Sequence, residues 1–279
     1  MSQLRLCAHP SPPGLVAGTQ VDALTSDPGT EDGVYLPRLI ALARSQGLLP
    51  EINAPPSPSA VGDDINTLRP VDRGGWLVAA ASPFAWTTCP QNQEPKPPRS
   101  HYCRATNRLV LEMDHYCVWI WNTVGYGNFA AFYRTLCYMF VGCVFGLREA
   151  HVAREMLRPE PSLGLIEASE LWEEAETPLW MVCCVLTICV CVVGPFLGWH
   201  TYLSATAQTS IEYAGSAVRR TAAGDAADVA SPYCRGSYWA NWNARVCGGR
   251  VLTGLLAPGV PPVWPPTGCL GEMKKDKAT

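Results

Sequence analysis

The chain has no excess of positive charge: across its 279 residues, 21 Lys and Arg stand against 24 Asp and Glu, giving a net charge of −3 and a pI near 6.0. Nucleic-acid binding needs a clustered basic face, so nucleic acid is excluded as a partner. A readable N-terminal signal segment is also missing. Residues 1–30 are rich in Pro, Ser, Thr and Gly and hold no apolar core of useful length, so membrane insertion is expected to rely on internal segments. The pattern of one soluble globule is absent too, because 25 Pro and 24 Gly are scattered mostly outside two compact apolar stretches. A disulfide framework does not explain the 13 cysteines. Cys137, Cys143, Cys183, Cys184, Cys189 and Cys191 lie inside apolar runs, where thiols behave as small hydrophobes.

What is present organises around the two apolar stretches. The first runs over 129–147, with Arg134 as its only charge, close enough to one end to reach the headgroups. The second, over 179–199, carries no charge and has Trp180 and Trp199 at its ends as interfacial anchors. Each has roughly the 20 residues needed to cross about 30 Å of hydrocarbon. Neither carries an ionisable residue at mid-membrane, which disfavours a channel or transporter. The fold class expected is therefore an all-α integral membrane protein with two transmembrane helices in this chain. Lys96, Arg99, Arg104 and Arg108 precede the first span, and Arg219 and Arg220 follow the second. This bias places the flanking segments in the cytosol and the acidic loop 148–178 in the lumen. Residues 1–86 read as a cytosolic, largely irregular leader with one short helix, Val34 to Leu49, and an extended stretch at 53–59. Gly75 to Trp86 is apolar but too short to span. Residues 200–279 form a cytosolic C-terminal region.

The chemistry lies directly before the first span, in 87–128. Asp114, His115 and Cys117 place a carboxylate, an imidazole and a thiol within four residues. A thiol attacks as its thiolate, so an imidazole that accepts its proton, oriented by a carboxylate, makes a nucleophile arrangement. The same triplet is open to a metal-ligand or a purely structural reading. Its surroundings are more specific: Lys96-Pro-Pro-Arg-Ser-His101, Met113-Asp-His-Tyr-Cys117, Trp119, Asn122, Val124-Gly125 and Asn128-Phe129. Over about 45 residues this block resembles the cysteine-rich domain of DHHC protein S-acyltransferases, in an Asp-His-Tyr-Cys variant. Thr209-Ser-Ile-Glu212 looks like the family's Thr-Thr-x-Glu motif, and Ser231-Pro-Tyr233 with Gly236 and Asn241-Trp242 looks like its C-terminal motif.

The resemblance implies a protein-cysteine S-palmitoyltransferase. Cys117 would attack the thioester of a long-chain acyl-CoA and pass the acyl group to a cysteine of a substrate protein. His115 would be the general base and Asp114 would fix its tautomer, with Thr209, Glu212, Asn122 and Asn241 in support. Palmitoyl-CoA is then a co-substrate, with no tightly bound cofactor. The partners implied are the lipid bilayer, acyl-CoA and proteins with cytosolic cysteines, and the address is an endoplasmic reticulum or Golgi membrane.

Two departures accompany the resemblance. The family's domain binds two zinc ions, each through three Cys and one His. Here the aligned positions read Cys89, Asn92, Tyr102 and Leu109 for the first and Cys103, Thr106, Tyr116 and Thr123 for the second. One usable ligand per site cannot close a tetrahedral shell, so structural zinc is expected to be lost, with Tyr102 and Tyr116 filling ligand space. The family also carries two spans ahead of the domain, and residues 1–86 offer none of sufficient length. The competing expectation is thus a catalytically idle or truncated relative that acts as a membrane scaffold.

Overall fold

The computed structural model describes residues 22–49, 83–158, 166–215, 231–250 and 262–270. They fall into two compact units, one over Tyr133–His200 and the other over Thr19–Phe132 with Thr201–Thr279. The extended stretch at 53–59, most of the apolar segment 75–86 and the Lys274–Lys277 tail lie outside the described residues.

The unit holding the Asp-His-Tyr-Cys core is not helical throughout. Three antiparallel hairpins run in succession: β1 (Thr87–Thr88) with β2 (Pro95–Lys96), β3 (His101–Cys103) with β4 (Arg108–Val110), and β5 (His115–Cys117) with β6 (Asn122–Val124). The all-α expectation is corrected here. Strands of two or three residues are too short to show the period-2 alternation by which a strand is read from sequence.

The expected leader helix is present as α1, Tyr35–Ser45. Leu36, Leu39 and Ala43 recur at helical spacing and are fully buried. The helix stops at Gly47, whose φ of +66° suits a residue without a Cβ. The Leu48 N–H bonds Ala43 O (3.0 Å) and the Gly47 N–H bonds Arg44 O (3.2 Å), satisfying the last carbonyls.

The leader is structured well beyond this helix. Asp27 Oδ1 accepts from the N–H groups of Gly29 and Thr30 at 3.0 and 2.9 Å, shaping a turn that delivers Thr30 to a bridge with Val110. The Glu31 carboxylate receives the Leu109 N–H at 2.9 Å. Residues 22–49 therefore form a strap across the hairpins. Leu39, Ala43, Trp86, Leu111, Tyr126 and Cys269 make one buried cluster, which draws the strap, the hairpins and segment 262–270 around a shared core.

Two glycines permit this approach. A Cβ on Gly125 would lie 2.5 Å from Pro28 O, and one on Gly127 would lie 2.1 Å from Asp27 O. Both obstacles are backbone and cannot rotate away. Gly127→Ala is accordingly expected to lower stability by about 1–3 kcal/mol through overpacking. Thermal unfolding in detergent checks this, and an unchanged melting temperature would contradict the tight strap.

The other unit contains α2 (Phe129–Leu157) and α3 (Ile166–Ala205) apart from their ends. Among the described residues, Phe129–Leu157 and Trp172–Ala205 are long and apolar enough to cross a membrane. Val141, Phe145, Met181, Val185, Ile188 and Val192 are each more than half exposed. The core helix of a soluble domain would bury such side chains, whereas a lipid-facing helix leaves them out. The helices extend beyond the expected spans, since 148–157 and 166–178 are helical as well. Gly194 lets α3 approach α2: a Cβ there would lie 2.9 Å from the Phe140 ring. The Arg154 guanidinium sits 4.9 Å above the Trp180 ring. Arg134 is buried at 2% exposure instead of reaching outward along its stem.

Candidate active site

Strand β5 carries His115 and Cys117 on one hairpin arm, opposite Val124 and Asn122 of β6. Side chains two apart share a strand face, so imidazole and thiol lie on the same side. Asp114 precedes the strand, and its carboxylate Oδ2 lies 3.0 Å from His115 Nδ1. The Phe132 ring meets the imidazole edge-on at 5.2 Å.

Charge and burial have opposing effects here. Burial disfavours a charged imidazole, but the Asp114 hydrogen bond and Cys117 outweigh it and raise His115 from 6.5 to about 9. Burial also disfavours a Cys117 thiolate; His115 and the N–H groups of Trp119 and Ile120 prevail, and the thiol is lowered. The arrangement thus favours a thiolate beside an imidazolium, the reactive form of cysteine. Cys117 itself is 6% exposed, while Trp119 and Trp121 in the turn beyond it are 85% and 80% exposed.

Asp114 is held from the other side. Its Oδ2 accepts from Ser210 Oγ at 2.7 Å and its Oδ1 from Ser210 N at 3.1 Å. Arg245 Nη2 donates to Oδ1 as well, at 2.9 Å. Ser210 lies within the motif read from sequence, although its neighbours were the residues singled out. Arg245 was missed altogether. It belongs to α4 (Tyr238–Val246), and nothing in the local pattern marks it.

The supporting residues act through structure. Thr209 and Glu212 form a reciprocal cap: Thr209 N donates to Glu212 Oε2 at 2.9 Å, and Glu212 N donates to Thr209 Oγ1 at 3.2 Å. Glu212 also takes Arg99 Nε at 2.7 Å and Nη2 at 3.0 Å. Arg99 further pairs with Glu112 at 3.3 Å and lies 4.4 Å over the Tyr233 ring. Two buried carboxylates therefore share one buried guanidinium, whose protonation they reinforce against the effect of burial. Arg99 and Glu112 both adopt left-handed backbone (φ 65° and 45°), which such residues hold only where tertiary contacts compensate.

Asn122 does not join this network. Its amide donates to the carbonyls of Leu24 (3.1 Å) and Ser26 (3.2 Å), tying the strap to β6. Asn241 donates to Ala205 O at 2.7 Å, satisfying a carbonyl at the end of α3, and accepts from Arg235 N at 2.7 Å.

The positions aligned with zinc ligands were tested against the structure. At the first set, Cys89 and Leu109 are buried with Leu36 of α1 in an apolar cluster flanked by Ile40 and Tyr102. At the second, Thr123 Oγ1 donates to Cys103 Sγ at 3.2 Å. Burial raises the Cys103 thiol, but hydrogen bonds from Thr106, Thr123 and the backbone N–H groups of Ala105 and Thr106 bring it below its usual value. One sulfur per site, among leucine, threonine and tyrosine side chains, does not fit a tetrahedral zinc.

Comparison with known proteins locates this arrangement. Residues 83–216 match the family model described as DHHC palmitoyltransferase. This stretch is similar to a DHHC domain. The match takes in the three hairpins, both long helices and Thr209–Glu212. Probable protein S-acyltransferase 16 of Arabidopsis thaliana is 34% identical over 119 residues, which are 42% of this chain and 39% of the relative. Probable protein S-acyltransferase 13 of the same plant is 45% identical over 53 residues, 19% of this chain and 18% of the relative. Palmitoyltransferase ZDHHC16 of Mus musculus is 30% identical over 125 residues, 42% of this chain and 34% of the relative. The chain thus spans about two fifths or less of the length of these relatives.

Proposed function

We propose that the chain is a membrane-embedded protein-cysteine S-palmitoyltransferase with Cys117 as its nucleophile. The observation that carries the reading is the relay from Asp114 through His115 to Cys117, with both oxygens of the Asp114 carboxylate anchored. In the first step the Cys117 thiolate attacks the carbonyl carbon of palmitoyl-CoA. The thioester C–S bond breaks, and the departing CoA sulfur takes the proton held by His115. In the second step an acceptor cysteine gives its proton to His115, its sulfur attacks the acyl carbonyl, and Cys117 leaves as thiolate. Asp114 keeps the imidazole in one tautomer and offsets its charge.

The Lys and Arg distribution supports a cytosolic catalytic loop over 87–128 and a lumenal connection over 148–178. Proteins with cysteines near the membrane surface are the acceptors, and an endoplasmic reticulum or Golgi membrane is the address. The acyl chain gains about 0.8 kcal/mol per buried CH₂, which favours chemistry at the bilayer surface.

The test is labelling of the expressed protein with a clickable palmitate analogue, wild type beside Cys117→Ser. Label that is sensitive to hydroxylamine and lost in the variant is the expected result. If wild type takes none in membranes where a relative labels well, the chain is an idle membrane scaffold.

The hairpin module is further proposed to fold without structural zinc, because the strap and the Cys103–Thr123 hydrogen bond occupy the ligand positions. Elemental analysis of purified protein is expected to find only substoichiometric zinc, and excess EDTA to leave the melting temperature unchanged. One or two tightly held zinc ions per chain would sink the idea.

A further inference from the structure

Asp114 is fully buried, and two of its partners, His115 and Ser210, lie within the segment shared with the family. Another comes from outside it. Arg245 projects from α4, beyond residue 216, and reaches Asp114 Oδ1 at 2.9 Å with its side chain only 11% exposed. Its guanidinium is itself fixed. Nη1 donates to Gln208 O at 2.6 Å, and the Phe129 ring lies 3.7 Å below the charged carbon. Gln208 is two residues before Ser210, so the same side chain grips both the carboxylate and the loop that presents Ser210. Phe129 neighbours Phe132, which packs on the His115 ring.

The carboxylate torsion of an aspartate is broad and roughly two-fold, so each donor on Oδ1, the Ser210 N–H and the Arg245 guanidinium, narrows its swing. A planar fork anchored at three points removes that freedom. We propose that Arg245 is a positioning residue for the acyl transfer: by holding Oδ1 it keeps Oδ2 on His115 Nδ1, and thereby keeps the other imidazole nitrogen available to the Cys117 proton. The proposal rests on the transferase reading, because it assigns a role within that reaction. A residue that only stabilised the fold would act equally whatever stood at 114. A positioning residue acts through Asp114 and becomes redundant without it.

The experiment uses the full chain in membranes, with the rate of CoA release measured against palmitoyl-CoA concentration. Arg245→Met is expected to lower kcat by about 10–100-fold, the range for a misplaced catalytic group, with KM within about two-fold of wild type. Arg245→Lys keeps a charged donor and is expected to recover part of the loss. In an Asp114→Asn background, adding Arg245→Met is expected to cost no more than about two-fold, the non-additivity of residues that act as one unit. Full multiplicative loss in that background overturns the proposal, as does a lowered melting temperature with kcat intact. A wild-type protein that releases no CoA and takes no label ends the transferase reading first, and this proposal with it.

Discussion

Asp114→Asn is expected to slow acylation of Cys117 by about 10⁴-fold, the scale seen when a catalytic imidazole loses the carboxylate that fixes its tautomer. An amide in place of the carboxylate presents one acceptor and one donor to three groups, His115 Nδ1, Ser210 and Arg245, that all donate to it. Whichever way it turns, at least one donor faces an N–H, and the buried guanidinium loses its counter-charge. The pH profile separates this from general damage. In wild type the rate should rise as the lowered Cys117 thiol ionises and fall as His115 deprotonates near 9. Asp114 is the main cause raising His115, so the variant should lose the alkaline side of that window at lower pH. The fold carries the same linkage. A His raised from 6.5 to about 9 contributes stability that is complete below 6.5 and gone above about 9. A variant that keeps an unshifted profile at a merely reduced amplitude would remove Asp114 from the relay.

The second large effect is on stability. Arg99→Met is expected to cost about 3–5 kcal/mol, the usual consequence of removing one partner from a buried ion pair. The loss is severe because Glu112 and Glu212, exposed by 9% and 4%, would then share no cation. Glu212→Gln leaves Arg99 paired with Glu112 and should cost less. Denaturant unfolding in detergent ranks the two, and equal midpoints would mean that the shared cation is not what holds this cluster. The cost reaches beyond the cluster, since Arg99 lies in the hairpin module and Glu212 follows the second long helix.

The sequence made the proposed reacting groups legible because they are local. Asp114, His115 and Cys117 lie within four residues, and a strand returns the last two to one face whatever the rest of the chain does. Thr209 and Glu212 cap each other locally, but the bond from Arg99 to Glu212 crosses 113 positions and leaves no periodic trace. Arg245 is 131 positions from Asp114 and was invisible for the same reason. The hairpins escaped because their strands are shorter than one readable alternation. The leader looked irregular because what orders residues 22–34 is not a repeating pattern but an Asp27 turn and two glycines, Gly125 and Gly127, almost a hundred residues away. Asn122, nominated near the chemistry on resemblance, lies opposite Cys117 in the third hairpin, and its amide also ties down that leader. The positions aligned with zinc ligands also meet one another in pairs. Cys89 packs with Leu109 and Tyr102, and Cys103 accepts from the Thr123 hydroxyl.

The shared core imposes an order of events at the ribosome. Trp86 Nε1 donates to Cys269 O across 183 positions, and Leu39 reaches the same cluster from the far side of the sequence. Both apolar helices are synthesised between these partners, so this core closes only after they have been made. A nascent chain therefore carries its cysteine for a long interval without Ser210 or Arg245 to steady Asp114. The contacts that anchor Asp114 from its far side thus belong to the last stage of assembly, after residues 210 and 245 have both been made.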